Sequence, residues 1–277
     1  MELTRRTLLA SALPAALAAD LAARTKKIPI GIELYSVRNE LKADPIGTVT
    51  RIGKMGYEAV EFFGPYIDYP LAQVKELRKT MDAVNLKCPS THNSGKTLFD
   101  SLDKAIEYNQ ILGSNMLIQS SAGGKMSKLD DWKALGEKLT AVGEKLKSHK
   151  MRTGFHNHHV EFEPLEGQLP IEVLAANTGK DFILQLDVGT CVSVGQDPVA
   201  YINRHKGRIR SIHAKDWGKE KGFRVLLGEG SSPWKEILAA AEKVGGLEVI
   251  LVEQEGADLP PFEVAEKCLA TMRKFRA

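Results

Sequence analysis

Four segments that read as β-strands each stop on a residue type that binds metal ions. The segments end at His156, Asp187, His213 and Glu253, and helix-like sequence lies between them. In a parallel barrel the carboxyl ends of all strands meet at one face, so side chains far apart in the sequence converge there. Two carboxylates and one or two imidazoles suit Mn²⁺, Co²⁺, Fe²⁺ or Zn²⁺ better than Ca²⁺. The pattern therefore predicts a single divalent metal ion held by these four residues.

The ligand from the fifth strand has two candidates. His156 and His158 are two residues apart, so a strand directs both side chains to the same face. We take His156 as the ligand and as a catalytic candidate, and His158 as an alternative ligand or a substrate contact. Glu161 and Glu163 lie past the strand end, and of the two we take Glu161 as a partner of the ligands or as a catalytic acid or base.

Other polar residues follow the ends of strands at the same predicted face. His92 is a further catalytic candidate, and the candidates for substrate binding are Tyr35, Arg38, Glu61 and Lys215. Each residue also has a plainer interpretation. His92 and Glu61 could be satisfied buried polar groups, and Arg38 and Lys215 could pair with neighbouring carboxylates.

The elements that would position these residues alternate between strand-like and helix-like sequence. The predicted strands are 28–35, 57–63, 86–90, 115–120, 151–156, 182–187, 208–213 and 247–253, and the predicted helices are 46–55, 71–84, 98–112, 128–150, 169–177, 198–204, 234–244 and 261–275. Eight such pairs predict an α/β fold, a (β/α)8 TIM barrel. An open doubly wound sheet would give the same alternation. However, no glycine-rich phosphate fingerprint follows the first strand, and eight units favour closure.

Glycines mark the opposite end of this barrel. Gly56, Gly113 and the pair Gly245-Gly246 each lie between a predicted helix and the following strand, which is the position of a helix C-cap. The ligand-type residues all fall at the other ends of the strands. The sequence therefore predicts one functional face.

Length and composition favour one barrel-sized domain over residues 27–277. The chain has 277 residues, of which 43% are hydrophobic, enough for a large core. A net charge of only +3 gives no case for nucleic acid binding or stable membrane association. Cys88, Cys191 and Cys268 are odd in number and far apart, which predicts unpaired core thiols.

Residues 1–26 read as a signal peptide and short leader outside the fold. Arg5 and Arg6 precede an Ala/Leu-rich stretch that runs through Ala19, as in a secretory signal of the twin-arginine type. An amphipathic N-terminal helix is the alternative. The apolar run is short and interrupted by Pro14, which argues against a membrane span. We therefore expect an exported or periplasmic protein whose mature chain begins near Ala19.

Several short motifs occur in a fixed order along the chain. They are Tyr35-Ser36-Val37-Arg38, Gly56-Tyr57-Glu58-Ala59-Val60-Glu61, His156-Asn157-His158, Glu161-Phe162, Leu186-Asp187, His213-Ala214-Lys215-Asp216, Leu227-Gly228-Glu229-Gly230 and Val252-Glu253-Gln254. This ordered set resembles the sugar phosphate isomerase/epimerase family, which has the xylose isomerase-like TIM barrel. The resemblance covers the chain from about Ile28, and the set is specific to the superfamily although no single motif is.

The resemblance implies one divalent metal ion held by Glu, Asp, His and Glu at strand ends. Asp187, His213 and Glu253 match the last three ligands. His156 departs from the pattern, because the epimerases have there a Glu that shuttles the substrate proton together with the last Glu. A neutral imidazole can bind metal and move a proton but removes one negative charge. This departure argues against a strict two-glutamate mechanism and is closer to the inosose dehydratase and 3-keto-sugar branch.

The expected function is that of a metal-dependent isomerase or epimerase acting on a non-phosphorylated sugar, keto-sugar or cyclitol. Glu253 or a nearby histidine would remove the proton α to a carbonyl and form an enediolate. A lyase or dehydratase using the same metal and base is the alternative. An endonuclease would need more metal ligands than a chain with seven histidines offers, and the near-neutral charge also argues against it. A non-catalytic sugar-binding barrel is a further alternative. The expected partner is a small sugar, and a homo-oligomer is compatible with the sequence.

Overall fold

Eight parallel strands close into a barrel in the computed structural model, which describes residues 27–277. The strands are β1 Ile30–Glu33, β2 Ala59–Phe62, β3 Lys87–Asn93, β4 Met116–Gln119, β5 Arg152–His156, β6 Ile183–Asp187, β7 Ser211–Ala214 and β8 Val249–Val252. Each strand pairs with the next, and β8 pairs with β1. The predicted (β/α)8 fold is confirmed, and the open-sheet alternative was wrong. The predicted signal over residues 1–26 lies outside the described residues.

Helices cover the outside of the barrel. They are α1 Arg38–Ala43, α2 Pro45–Met55, α3 Leu71–Ala83, α4 Gly95–Asp100, α5 Leu102–Leu112, α6 Leu129–Lys147, α7 Pro170–Ala176, α8 Val188–Ser193, α9 Pro198–Arg204, α10 Trp234–Ala240 and α11 Pro261–Phe275. The longest, α6, buries Trp132, Leu139 and Leu146, which recur every seven residues on one helical face. This spacing holds the helix against the barrel.

Three local differences from the predicted elements bear on the functional face. Strand β3 runs on to Asn93, so His92 lies within the strand instead of after it. The predicted helix 98–112 is two helices: α4 begins after Ser94, whose side chain accepts a hydrogen bond from the Thr97 amide, and the break falls at Ser101, whose backbone (φ −138°, ψ 32°) is not helical. The short helix α8 was not predicted, and it begins where the Asp187 side chain accepts a hydrogen bond from the Thr190 amide.

The helix ends at the opposite face match the sequence pattern. Gly56, Gly113 and Gly246 have φ angles of 95°, 79° and 83° and end a helical segment before the next strand. Glycine adopts this left-handed conformation without the strain that a Cβ atom causes. The strands therefore start at the glycine-marked face and end at the face that carries the polar residues.

Apolar side chains fill the barrel interior below the functional face. This apolar floor consists of Ala59, Met116, Ile118, Ile183, Val249 and Leu251. Gly154 of β5 makes room for it, because a Cβ atom at this position would lie only 2.5 Å from the Ile183 carbonyl oxygen. The polar side chains above this floor are thus held in a packed, dry interior.

The three cysteines, all among the described residues, are unpaired and buried, as predicted. None of the helices described between residues 27 and 277 is both long and apolar enough to span a bilayer.

Candidate metal centre

Polar side chains from most of the strands meet at the carboxyl end of the barrel. They are Glu33, Glu61, His92, His156, Gln185, Asp187, His213, Lys215 and Glu253, and all of them are buried. The strand register places His156 beside Gln185 and Asp187 beside His213. Convergence of strand ends thus produces a polar layer directly above the apolar floor.

Three of the four predicted ligands lie together. Donor atoms of His156, Asp187 and Glu253 lie within 4.8 Å of one another. The Oδ1 atom of Asp187 caps α8, 3.0 Å from the Thr190 amide nitrogen. Its Oδ2 atom is buried and has no hydrogen-bond partner among the described residues. It lies 3.9 Å from His156 Nε2.

An unpartnered buried oxygen beside an imidazole nitrogen needs a cation or a donor between them, because burial without a partner is costly. The donor set of one imidazole and two carboxylates fits Mn²⁺, Co²⁺, Fe²⁺ or Zn²⁺. Asp187 can therefore combine two roles: one oxygen caps a helix and the other is free to bind a ligand.

His213, the fourth predicted ligand, is held between two carboxylates. Its Nδ1 atom lies 2.5 Å from Glu253 Oε2 and its Nε2 atom 2.6 Å from Glu61 Oε2. Burial lowers the pKa of His213, but the two carboxylates outweigh it and raise the pKa well above 6.5. His213 groups with His92 and His156 as a potential ligand set, and its role as fourth ligand stays a prediction.

Gln185 is a central residue that the sequence analysis missed. Its Nε2 atom lies 3.0 Å from Glu61 Oε1. The pKa of Glu61 is about 2, because His92 and His213 outweigh the effect of burial. Since this carboxylate can only accept hydrogen bonds, the amide orientation of Gln185 is fixed.

The carbonyl oxygen of Gln185 then faces two imidazoles. It lies 2.6 Å from His92 Nε2 and 3.1 Å from His156 Nδ1. Both of these nitrogens must carry hydrogen, because a carbonyl oxygen can only accept. In the neutral ring the lone pair of His156 is therefore on Nε2, the atom that faces Asp187. Gln185 precedes Asp187 by two residues on the same strand, and this period-two spacing could have revealed it.

We expect Gln185→Leu to weaken Mn²⁺ binding by about 10–100-fold, the usual cost of losing a group that orients a metal ligand. The substitution removes the acceptor that fixes the His156 tautomer. Equilibrium dialysis with Mn²⁺ measures the effect. Gln119→Leu is the matched control, because Gln119 is also a buried strand-end amide but its Nε2 atom donates to the Ser121 carbonyl oxygen. Equal weakening in both variants would contradict the assignment.

Lys215 lies among the same carboxylates. Its ammonium nitrogen is 3.2 Å from Glu253 Oε1 and 3.8 Å from Asp187 Oδ2, and it also contacts Glu255. Burial lowers the pKa of Lys215, but these carboxylates raise it above its ordinary value. Lys215 therefore carries a positive charge at the centre, and a substrate contact by it stays a prediction.

The residue after Lys215 organises the loop that follows β7. Asp216 accepts hydrogen bonds from the Gly228 amide and from Trp234 Nε1, each at 2.9 Å. These bonds hold the glycine-rich loop and α10 against the carboxyl end of β7. They thereby fix the backbone from which Lys215 extends.

The acidic groups of the centre differ in pKa. Burial raises the pKa of Glu253, but Lys215 and His213 outweigh burial and hold it well below 4.5. Burial raises the pKa of Asp187 to about 6, since Lys215 compensates only partly. At neutral pH Glu253 is thus an ionised carboxylate within reach of two cationic groups.

The remaining predicted site residues divide between rim and interior. Tyr35 is exposed on the rim, where the Arg38 guanidinium lies 4.5 Å from its ring centroid. His158 is half-buried, and its ring centroid is 5.0 Å from that of His156. Glu61, in contrast, is fully buried and bonded to Gln185 and His213 instead of facing the rim. Its substrate contact stays a prediction, with a positioning role as the plainer interpretation.

Glu161 lines a cavity next to the centre. The cavity has a volume of about 580 Å³ and is also lined by His158, Trp132 and the 121–124 loop. Glu161 Oε2 accepts a hydrogen bond from the His158 amide at 2.7 Å, and burial raises the pKa of Glu161 to about 7. Such a carboxyl group can act as an acid at neutral pH.

The raised pKa of Glu161 predicts a pH-dependent stability. The folded protein binds a proton at this site more tightly than the unfolded chain, so stability falls as the pH rises from about 4.5 to about 7. Between pH 5 and pH 8, the free energy of unfolding of Glu161→Gln should rise relative to that of wild type by on the order of 2 kcal/mol. Urea unfolding at both values measures this, with Glu163→Gln at the exposed neighbour as control. A pH-independent difference would contradict the burial argument.

A closed parallel barrel with His, Asp and Glu side chains gathered at the ends of its strands defines a TIM barrel with a candidate metal centre. A sequence profile of the xylose isomerase-like TIM barrel family matches residues 49–275. The chain belongs to this family.

Individual relatives carry the names inosose dehydratase and sugar phosphate isomerase/epimerase. An inosose dehydratase from Lacticaseibacillus casei is 28% identical over 158 residues, which cover 50% of this chain and 52% of the relative. The chain thus spans about half the length of this relative. An inosose dehydratase from Clostridium beijerinckii is 22% identical, with 79% of this chain and 85% of the relative covered. The structure of a sugar phosphate isomerase/epimerase from Parabacteroides distasonis superposes with a TM-score of 0.77 and 26% identity, covering 90% of this chain and 95% of the other.

Proposed function

We propose that this protein is a divalent-metal-dependent enzyme that removes the proton α to a carbonyl in a non-phosphorylated sugar, keto-sugar or cyclitol. The observation that carries the proposal is the unpartnered Asp187 Oδ2 atom, buried between His156 Nε2 and the Lys215 ammonium. The relatives named inosose dehydratase and sugar phosphate isomerase/epimerase support the substrate class.

Each residue of the centre has a separate part in this proposal. His156, Asp187 and Glu253 would hold the ion, with His213 as a fourth ligand. When bound, a divalent ion supplies Lewis-acid polarisation of a carbonyl and stabilises developing negative charge on oxygen. Glu253 is ionised and would accept the α proton, while Lys215 would offer a hydrogen bond to a substrate oxygen. The protein groups thus supply the base and a positive charge within a dry interior.

Elimination of a β-hydroxyl group, as in a dehydratase, is the outcome that the acid and base groups favour. Among the proposed ligands, Glu253 is the carboxylate whose pKa is held well below 4.5, whereas burial lowers the pKa of His156 well below 6.5 and keeps this imidazole neutral. Glu161 is half protonated at its pKa of about 7 and largely protonated below it, and it could protonate a departing hydroxyl. Isomerisation or epimerisation, which returns a proton to carbon, is the second candidate and is supported by the Parabacteroides distasonis relative.

Solvent deuterium exchange tests the proposed function. The Mn²⁺-loaded protein is incubated in D₂O with a panel of keto-sugars and inososes, and products are followed by NMR and mass spectrometry. Deuterium at the α carbon is expected with at least one compound, and loss of water from that compound would identify a dehydratase. Inversion of configuration at the α carbon without loss of water would identify an epimerase. An absence of both exchange and conversion across the panel would overturn the proposal.

We also propose that residues 1–26 direct export by the twin-arginine route, which rests on Arg5 and Arg6 before the Ala/Leu-rich stretch. N-terminal sequencing of protein from the exported fraction should find a chain that begins near Ala19. An unprocessed N-terminus in that fraction would contradict export by a cleaved signal.

A further inference from the structure

The β1–β3 side of the polar layer contains a second buried oxygen without a partner. Glu33 is only 1% exposed, and its Oε2 atom accepts a hydrogen bond from the Tyr35 amide at 2.7 Å. Its Oε1 atom has no hydrogen-bond partner among the described residues. Protonation of Glu33 alone does not give this atom a hydrogen bond, because the facing His92 Nδ1 atom lies 4.0 Å away, beyond hydrogen-bond distance. A group that binds oxygen is therefore needed next to Glu33.

The surroundings of this oxygen repeat the arrangement around Asp187. The Nδ1 atom of His92 faces Glu33 Oε1 at 4.0 Å. The other ring nitrogen of His92 donates to Gln185, so in the neutral ring the Nδ1 atom carries a lone pair. Gln185 thus leaves two imidazole nitrogens free, and each faces an unpartnered carboxylate oxygen at a similar distance, 3.9 Å at Asp187 and 4.0 Å at Glu33.

A third donor completes the set on this side. Ligand atoms of Glu33, Glu61 and His92 all lie within 4.8 Å of one another. Glu61 Oε1 accepts a hydrogen bond from Gln185, and Glu61 Oε2 lies 2.6 Å from His213 Nε2 and 3.3 Å from His92 Nε2. Since each carboxylate oxygen has two lone pairs, Oε1 can bind a further partner. Two carboxylates and one imidazole form the same kind of donor set as His156, Asp187 and Glu253.

We propose that Glu33, Glu61 and His92 form a second divalent-cation site, separate from the site of His156, Asp187 and Glu253. A carboxylate-rich set with one imidazole suits Mn²⁺, Fe²⁺ or Zn²⁺. The two sites share no ligand and are joined through Gln185. The second site does not depend on which sugar the enzyme converts.

Mn²⁺ stoichiometry tests the second site. Full-length chelator-treated protein is titrated with Mn²⁺, and the bound ion is counted from the EPR signal of the free ion. We expect two ions per chain in wild type and one each in Glu33→Gln, His92→Phe and Asp187→Asn. Glu58→Gln is the matched control, because Glu58 precedes β2 at the other end of the barrel and pairs with Lys27. It should retain two ions, and circular dichroism melts establish that all variants fold.

The outcomes separate this inference from the proposed function. One ion in wild type that Asp187→Asn removes and Glu33→Gln retains would overturn the second site and leave the catalytic proposal standing. Simultaneous loss of all binding in folded Glu33→Gln and Asp187→Asn would also overturn it, because the ions would not be held independently. Two ions in wild type without any deuterium exchange would support the second site while the catalytic proposal fails.

Discussion

Asp187→Asn should remove the Mn²⁺ held with His156 and Glu253 and reduce turnover by roughly 10³-fold or more, since a metal ion contributes several kcal/mol of charge stabilisation. The substitution is nearly isosteric. Asparagine keeps an oxygen to accept the Thr190 amide at the start of α8 but replaces the unpartnered Oδ2 with an amide nitrogen. Metal content and deuterium exchange measure the two losses.

The fold should survive this change, because the helix cap is preserved. Asp197→Asn is the matched control: Asp197 caps α9 by accepting hydrogen bonds from the Val199 and Ala200 amides and lies outside the polar layer. This control should keep its metal content and activity. Unchanged metal content in Asp187→Asn would refute its role as a ligand, and a collapse of the fold in both variants would show that capping dominates.

Glu253→Gln should reduce deuterium incorporation into the substrate by about 10²–10⁴-fold, the usual contribution of a general base. The amide is neutral and cannot accept the α proton. The nearby Lys215 and His213 hold the pKa of Glu253 well below 4.5 despite burial, so the wild-type base is ionised at neutral pH. Initial exchange rates measured at saturating Mn²⁺ separate this loss from weaker metal binding.

Glu255→Gln is the control for a general effect of charge. Glu255 contacts the same Lys215 ammonium, but its side chain is about one-third exposed. Removing this carboxylate should change the exchange rate by less than about tenfold, since partly exposed ion pairs contribute little. Equal losses in Glu253→Gln and Glu255→Gln would indicate that Lys215, instead of Glu253, is the group that matters.

The barrel could be predicted from the sequence because the end of each strand is marked both by a local sequence pattern and by a polar residue. Short strand-like segments ending at His156, Asp187 and His213 marked the carboxyl ends of the strands, and C-cap glycines such as Gly56 marked where the next strand begins. These signals are local, so a single sequence contains them. The gathering of His156, Asp187 and Glu253 then follows from the closure of the barrel.

Contacts across the barrel could not be predicted in the same way. Gln185 has no distinctive motif, and its importance arises from Glu61 and His92 on the opposite side of the interior. For Glu61 the sequence left open a substrate contact or a satisfied buried polar group, and only the structure shows that its side chain is fully buried and bonded to Gln185 and His213. The break between α4 and α5 is a single non-helical residue, Ser101, which the helical pattern across 98–112 concealed.

The apolar floor has a consequence for traffic through the enzyme. Because Met116, Ile183, Leu251 and their neighbours pack the lower interior, small molecules can approach the polar layer only from the carboxyl end of the barrel. Reactant and product must therefore pass through the same opening, and a new reactant can bind only after the product has left. Accumulated product is therefore expected to compete with reactant for entry, which would slow conversion most strongly when little reactant is left.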